Sequence, residues 1–519
     1  MRLKSYLSGA WVEGQGSPAV LVNPSTEEPL AETSTAGLDL AGALEFARSR
    51  GGPVLRKASF AQRGEMLARV SGLIRSQRDA LIGIAVENGG NTRSDAKFDI
   101  DGAAGTLAHY AAIGRDLGDR RTLVDGDPTP LCRSGGFVGG HLFAPREGVA
   151  VHVNAFNFPA WGFAEKAAVA LLAGVPVVTK PATSTALLAH RIVTLCVEAE
   201  VFPQGALSLV SGAAQGLLDH LTGQDVLAFT GSSDTAALLR THPALARAGV
   251  RINVEADSLN AAILGPDARR GSTTWSMFVS AVARDMTQKA GQKCTAIRRV
   301  LVPRDALSAV EEDLASALAR VRVGNPAADE VDMGPLATAG QLRDVRAGID
   351  RLCASARVVW TAAEPSPLGA PPGKGFFQTP MLLAADRPLD SSAVHEHEVF
   401  GPVATVMPFD SGGEVAELVR RARGCLVSSL FTDDRSFALR MIRALQAWHG
   451  RLHVAGEAVA SDAPPPGTVF PQLVHGGPGR AGAGEELGGE RGLRFYLQRT
   501  AVQAPRDLWD ALTVAQDPC

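Results

Sequence analysis

Apolar residues recur with helical spacing from Leu38 to about Asp116: Leu38, Leu44 and Phe46, then Met66, Leu67, Val70, Leu73 and Ile74, then Leu81, Ile82 and Ile84. Between Arg121 and Arg146 the pattern changes to short β-like runs broken by Gly135-Gly136 and Gly139-Gly140. That predicts a glycine-rich ribbon, either an edge hairpin or an arm that pairs with another subunit. From Gly148 to Glu255 two periodicities alternate. Strand-like runs fall at Val149–Val153, Val175–Thr179, Leu207–Val210, Val226–Phe229 and Val250–Val254, with helical stretches at Trp161–Ala173, Thr185–Ala199, Gln215–Leu221 and Ser232–Thr241. Such alternation predicts βαβ units and a parallel, doubly wound sheet. Ligands on such a sheet sit beyond the carboxyl ends of its strands. This directs attention to Asn154–Pro159, Lys180–Thr183, Ser211–Ala214 and Thr230–Ser232. A second α/β region is expected from Leu259 to Gly467, closing with a Pro-rich loop at Ala463–Pro466, and Arg494–Val502 reads as a strand able to pair with the ribbon.

Composition narrows the classes. A chain of 519 residues, 45% hydrophobic and 20% charged, suits a soluble globular protein of two or three domains. Its formal charge of −3 gives no general attraction to nucleic acid or to an anionic membrane, so a site for an anionic ligand has to be local. The N-terminal residues lack the apolar stretch of a signal peptide, and no run of about 18 apolar residues offers a membrane span. Cys132, Cys196, Cys294, Cys353, Cys425 and Cys519 are scattered without disulfide or zinc spacing, which suits a reducing cytoplasm and predicts no metal.

One cysteine stands apart. Cys294 lies in Gly291-Gln292-Lys293-Cys294-Thr295-Ala296, where the glycine lets the backbone bring a thiol close to a ligand. It is the leading nucleophile. Two other strings carry less. Gly477-Pro478-Gly479-Arg480-Ala481-Gly482 fits a dinucleotide fingerprint but lacks the flanking strand and helix, and His395-Glu396-His397-Glu398 lacks the i, i+4 histidine pair of a helical zinc site.

The strand-end segments and the cysteine together form a known pattern. Asn154-Ala155-Phe156-Asn157-Phe158-Pro159, Lys180-Pro181-Ala182, Phe229-Thr230-Gly231-Ser232, Val254-Glu255-Ala256-Asp257, Gly291-Gln292-Lys293-Cys294 and Glu398-Val399-Phe400-Gly401-Pro402 occur in this order. In these motifs the chain resembles the aldehyde dehydrogenase superfamily over nearly its whole length. The resemblance implies an α/β fold with a Rossmann-type cofactor domain (residues 1–120 and 147–258), an α/β catalytic domain (259–493), and a β-hairpin arm and tail for oligomerisation (121–146 and 494–519). It implies that Cys294 attacks the aldehyde carbon, that Asn157 donates to the developing oxyanion, and that Glu255 activates the water that hydrolyses the thioester. Members that transfer the acyl group to CoA generally lack that base, so Glu255 favours release of a free acid.

For the cofactor, the resemblance assigns Lys180 to the adenosine ribose and Glu398 to the nicotinamide ribose. Val153, Asn154, Ala155, Phe156, Ala182, Gly212, Phe229, Gly231, Ser232, Thr235 and Phe400 complete the expected contacts. Thr183 stands where NAD-preferring members often carry a glutamate. A hydroxyl accommodates a 2′-phosphate that a carboxylate would repel, so NADP is expected over NAD. Ala256-Asp257-Ser258 replaces the usual apolar-Gly-Gly, Trp275–Ser280 reads as extra loop before the cysteine, and Val454 falls where many members have asparagine.

The string Val474-His475-Gly476-Gly477-Pro478-Gly479-Arg480, followed by Glu485-Glu486-Leu487-Gly488-Gly489, resembles one branch of the family. That branch acts on CoA-linked semialdehydes in aerobic aromatic degradation and includes a ring-opening enzyme with an added hydratase domain, for which this chain has no room. The implied substrate is 3,4-dehydroadipyl-CoA semialdehyde of the benzoyl-CoA route, with Phe158, His475 and Arg480 as candidate substrate contacts and a homodimer as the assembly. Alternatives are a dehydrogenase of free aliphatic or aromatic aldehydes, and a catalytically silent structural or binding protein on the same fold.

Overall fold

The computed structural model describes residues 1–362 and 367–514. Two seven-stranded sheets organise the described residues. In the first, Arg251–Glu255, Val226–Thr230, Ala150–Val153, Val177–Lys180 and Leu207–Leu209 lie side by side in parallel, in that order. Their interiors are almost wholly buried, as a parallel sheet covered by helices requires. Ala150–Val153 pairs with both Val177–Lys180 and Val226–Thr230, so the winding reverses beside it. That reversal opens a crevice at the carboxyl ends of the strands. The antiparallel hairpin Ser5–Leu7 and Ala10–Val12 extends the far edge, an addition the sequence pattern did not suggest.

The second sheet runs Arg357–Thr361, Met381–Ala384, Val403–Phe409, Ile297–Pro303, Asn260–Leu264, Cys425–Phe431 and His449–Ala455, parallel except for the first. The expected ribbon and final strand do meet: Leu497–Pro505 pairs antiparallel with Phe137–Pro145 along its full length. Arg494–Tyr496 end a helix rather than begin that strand, and a further helix occupies Arg506–Val514. Residues 515–519 of the predicted tail, including Cys519, lie outside the described residues.

Two local expectations need correction. Gln215–Leu221 forms only a 3₁₀ turn at Leu217–His220, entered through Gly216 at φ +80°. Trp275–Ser280 is not loop. It lies inside the helix Thr273–Thr287, whose first turn is capped by Ser272 accepting from the Trp275 N–H and whose buried face is Trp275, Phe278, Val282 and Met286. No helix among the described residues is long and apolar enough to cross a membrane.

Candidate active site

The cysteine loop leaves the helix Thr273–Thr287 through an unusual backbone. Lys289, Ala290 and Gly291 all have positive φ, +53°, +52° and +70°. For the two non-glycine residues this costs about 1–2 kcal/mol each. The loop is held by buried polar anchors. The Lys289 N–H donates to Asp95 at 3.1 Å, Lys293 Nζ to Asp285 at 2.6 Å, and Arg298 to the carbonyls of Gly291 and Gly401 at 2.9 and 2.8 Å. A side chain at Gly291 would collide with the Gly401 carbonyl, so the cysteine motif and the Glu398–Pro402 motif dock through a position that only glycine fits.

Two cavities meet at the thiol. One, about 450 Å³, lies in the crevice of the first sheet between Ala155, Phe156, Ala182, Gly231, Ser232 and Asp257 on one side and Gln341, Asp344, Val345, Glu398 and Phe400 on the other. The second is narrow, about 40 Å³, and is walled by Phe98, Phe158, Trp161, Val469, Glu165, Lys166 and His475. Ala155, Asn157, Thr230, Glu255 and Cys294 line both, so a ligand in each would meet at these residues.

His475 reaches further into the chemistry than a passage residue would. Its Nε2 lies 3.0 Å from Glu255 Oε2 and 3.8 Å from Cys294 Sγ, and the ligating atoms of all three residues fall within 4.8 Å of one another. The approach of His475 to Glu255 Oε2 is a close charge contact between two buried groups. Burial alone would raise the Glu255 carboxyl. The His475 charge and the nearby Lys166 ammonium outweigh it and hold the group at about 2. Burial disfavours the His475 imidazolium, yet Glu255 more than compensates and raises it above its ordinary 6.5. The Cys294 thiol goes well above its ordinary value through burial and the negative charge of Glu255. The shifts favour a neutral thiol beside a histidine that holds its proton more tightly than a free imidazole does, because of the carboxylate next to it.

Behind this trio Lys166 Nζ sits between Glu165 at 3.0 Å and Glu486 at 3.1 Å. Two acidic side chains flank one ammonium, and burial with the neighbouring acids pushes Glu486 up to about 8 against the opposing pull of Lys166. Lys166 and Glu486 are 320 positions apart in sequence, and the individual settings of Lys166, Glu165 and Glu486 carried no signal.

Among the expected cofactor contacts, Ala155, Phe156, Ala182, Gly231, Ser232, Glu398 and Phe400 line the larger cavity. Val153, Asn154, Lys180, Thr183, Gly212, Phe229 and Thr235 occupy the strand ends and first turns around it without lining it. Ser232 caps the helix Ser233–Arg240 by accepting from the Thr235 N–H at 3.3 Å. Asp257, one of the departures from the usual motif, accepts from Ser233 N at 3.0 Å and Ser233 Oγ at 2.5 Å, so it fixes where that helix starts. Ser258, the next departure, donates its N–H to Glu398 at 2.9 Å. Gln341, Asp344 and Val345 were not foreseen as cavity residues, whereas Thr230 lies in the strand-end segment Thr230–Ser232 to which the sequence pointed. Thr230 Oγ1 is buried and has no partner among the described residues, an orphan that a bound group would satisfy.

Arg480 does not line the passage. Its N–H donates to the Arg423 carbonyl in a 3₁₀ turn, and its charge acts on buried Arg299 and Cys425. The fingerprint-like glycine string is this same turn. The side chains of His395 and Glu398 part company: His395 Nε2 lies 2.9 Å from the Pro388 carbonyl, whereas Glu398 faces Ser258 and Arg298.

The sequence profile described as the Aldehyde dehydrogenase family matches residues 11–502. The chain belongs to the aldehyde dehydrogenase family. As an aldehyde dehydrogenase it is 44% identical over 480 residues to the 3,4-dehydroadipyl-CoA semialdehyde dehydrogenase of Aromatoleum evansii, covering 92% of this chain and 93% of that one. A putative aldehyde dehydrogenase of Burkholderia cenocepacia superposes with a TM-score of 0.82 at 26% identity, over 97% of this chain and 99% of the other. PnpE, solved in complex with nicotinamide adenine dinucleotide, gives 0.83 at 26%, over 98% of both chains. Members of the family are oxidoreductases acting on aldehydes, and the two-sheet architecture is theirs.

Proposed function

We propose that this aldehyde dehydrogenase uses NADP to oxidise a CoA-linked semialdehyde, 3,4-dehydroadipyl-CoA semialdehyde, to the free carboxylic acid in aerobic aromatic catabolism. The observation that carries the reading is the meeting of a nucleotide-sized crevice and a narrow passage at Cys294, Glu255 and Asn157. The Aromatoleum relative, named for that substrate, supports its identity. The proposed organisation assigns residues 1–120 and 147–258 to the cofactor and residues 259–493 to catalysis. Residues 121–146 and 494–519 would serve a homodimer, whose pairing would cover edge strands a single chain leaves open. Five described cysteines are free thiols, which suits a cytoplasmic setting.

In this reading Cys294 attacks the aldehyde carbon while the Asn157 amide and the Cys294 backbone N–H donate to the oxyanion, each such donor contributing about 2.7–4 kcal/mol. A thiol raised by burial needs a base. A carboxylate held at about 2 is a weak one, whereas an imidazole raised above 6.5 is well matched to the task. In its neutral form His475 therefore takes the thiol proton, and Glu255 orients it and stabilises the imidazolium that forms. Bound in the crevice, the cofactor would rest its pyrophosphate on the helix start at Gly231-Ser232 and its nicotinamide ribose on Glu398, and it would supply the hydride acceptor. Once His475 has released the thiol proton to solvent, water beside Glu255 attacks the thioester left on Cys294; its proton passes to the neutral His475 imidazole and on to the departing Cys294 thiolate, which frees the carboxylic acid and restores the thiol. Thr183 leaves space for a 2′-phosphate and Lys180 lends it a positive charge, which favours NADP.

The test is a steady-state comparison of the CoA-linked C6 semialdehyde with its free counterpart, followed by reduced-nicotinamide absorbance with NADP and with NAD. Remote contacts to the carrier should raise kcat as well as lower KM. The expected advantage of the CoA-linked aldehyde in kcat/KM is about 100-fold or more. Equal efficiencies would leave a general aldehyde dehydrogenase.

A further inference from the structure

We propose that a basic basin beside the substrate passage, walled by His109, Arg120, Arg491 and Arg494, holds the phosphate-bearing nucleotide end of the CoA carrier. This assignment rests on the CoA-linked reading above. The basin has a volume of about 670 Å³ and lies between the helix Arg93–Leu117, the start of the glycine-rich ribbon and the helix Glu490–Tyr496.

Two elements connect it to the passage. Phe98 lines the passage and His109 the basin, on one helix, and eleven residues at 1.5 Å each separate them by about 16 Å. Val469 lines the passage and Gln472 the basin, three positions apart in one loop. An extended pantetheine chain has the reach to join two such sites. The aldehyde end can thus lie at Cys294 while the nucleotide stays outside.

The charges select an anion. Three arginines face one carboxylate, Glu490, in a protein whose net charge is −3. Arg120 donates Nε to the Leu117 carbonyl at 2.8 Å, which leaves its terminal nitrogens. Neither Arg120 nor Arg491 forms an ion pair with a carboxylate among the described residues. Arg494 is partly engaged by Asp125 at 3.3 Å and lies over the Phe143 ring. His109 Nε2 is buried without a partner among the described residues. Leu117, Leu123 and Phe143 give the same basin an apolar wall, suited to an adenosine moiety rather than to a bare inorganic ion.

The experiment uses the full-length enzyme at saturating NADP, so that nucleotide binding in the cofactor crevice does not interfere. The readout is the ratio of kcat/KM for the CoA-linked semialdehyde to that for the free one, in wild type, in the double variant Arg120→Ala/Arg491→Ala and in the exposed single variant Gln472→Glu. Each lost charge-assisted phosphate contact is worth roughly tenfold in affinity. The double variant should lower the ratio at least ~10-fold, and Gln472→Glu, which places a negative charge in the basin, should lower it in the same direction. Adenosine 3′,5′-bisphosphate should compete with the CoA-linked substrate in wild type and lose that effect in both variants. A wild-type ratio near one overturns the CoA reading itself. A high wild-type ratio retained by both variants overturns the basin and leaves that reading standing. A change of mass in light scattering with the ratio unaltered makes the basin a contact between subunits and also overturns the assignment.

Discussion

Replacing His475 by phenylalanine separates two ways of activating Cys294. The imidazole is buried, 3.0 Å from Glu255 and 3.8 Å from the thiol, and phenylalanine fills a similar volume without a titratable nitrogen. Even at its ordinary value of 9.0 a thiol is only about 1% ionised at pH 7, and burial and Glu255 push Cys294 well above that value. Without a base to take its proton, kcat/KM should fall by about 100-fold or more, which is about 2.7 kcal/mol of transition-state stabilisation. The pH profile adds a signature that simple loss of packing would not produce. The histidine accepts a proton only when neutral, and its ionisation is raised above 6.5, so wild-type kcat/KM should rise with pH through a value above 6.5. In His475→Phe that limb should vanish. Glu255 loses its main counter-charge in the same variant, so burial should lift its carboxyl from about 2 to above the ordinary 4.5. Stopped-flow and steady-state rates across the pH range, with melting curves to confirm folding, measure both effects. A variant within threefold of wild type, with the same pH limb, would show that Glu255 or a water chain activates the thiol unaided.

Three further predictions concern separate parts of the site. Glu255→Gln keeps the side-chain size but removes the carboxylate proposed to orient His475 and hold the hydrolytic water, so rapid mixing should release up to one equivalent of NADPH per site before slow turnover; wild-type steady-state hydrolysis would place the hydrolytic base elsewhere. Thr183→Glu should turn preference from NADP towards NAD by about tenfold or more in relative kcat/KM, since 1.4 kcal/mol of lost phosphate binding is a factor of ten; a wild-type enzyme already preferring NAD refutes the reasoning without the variant. Deletion of the chain from Leu497 onwards removes the strand that covers Phe137–Pro145 along its whole length and should give monomers or aggregates in light scattering, whereas an unchanged active dimer would count against an assembly role for these strands.

Much of this protein was legible in one dimension. The strand and helix periodicities between Gly148 and Glu255 return as the first sheet within a residue or two at most ends, because a strand buried on both faces must be apolar throughout. The six ordered motifs were enough for the family, since each is local and its residue types answer to a local need: a capped helix start at Ser232, a glycine that alone fits at Gly291. What the sequence did not hold was anything made by meeting. Trp275–Ser280 read as extra loop because the interval from Glu255 to Cys294 is longer than the family resemblance leads one to expect, although Ser272 and the spacing of Trp275, Phe278, Val282 and Met286 belong to a capped amphipathic helix. His475 read as a polar residue of the passage, and its contact with Glu255 and, across 181 positions of chain, with Cys294 depends on the hairpin Val474–Gly476 and Glu485–Leu487. Arg480, five residues further on, turns the other way towards Arg423 and Arg299. The same holds for the ionisation states. Lys166 is placed between Glu165 and Glu486, and Glu255 beside His475, by packing of elements distant in sequence. Local composition chooses a residue's secondary structure, but the distance between two charges, and the dielectric between them, exist only once the chain has folded.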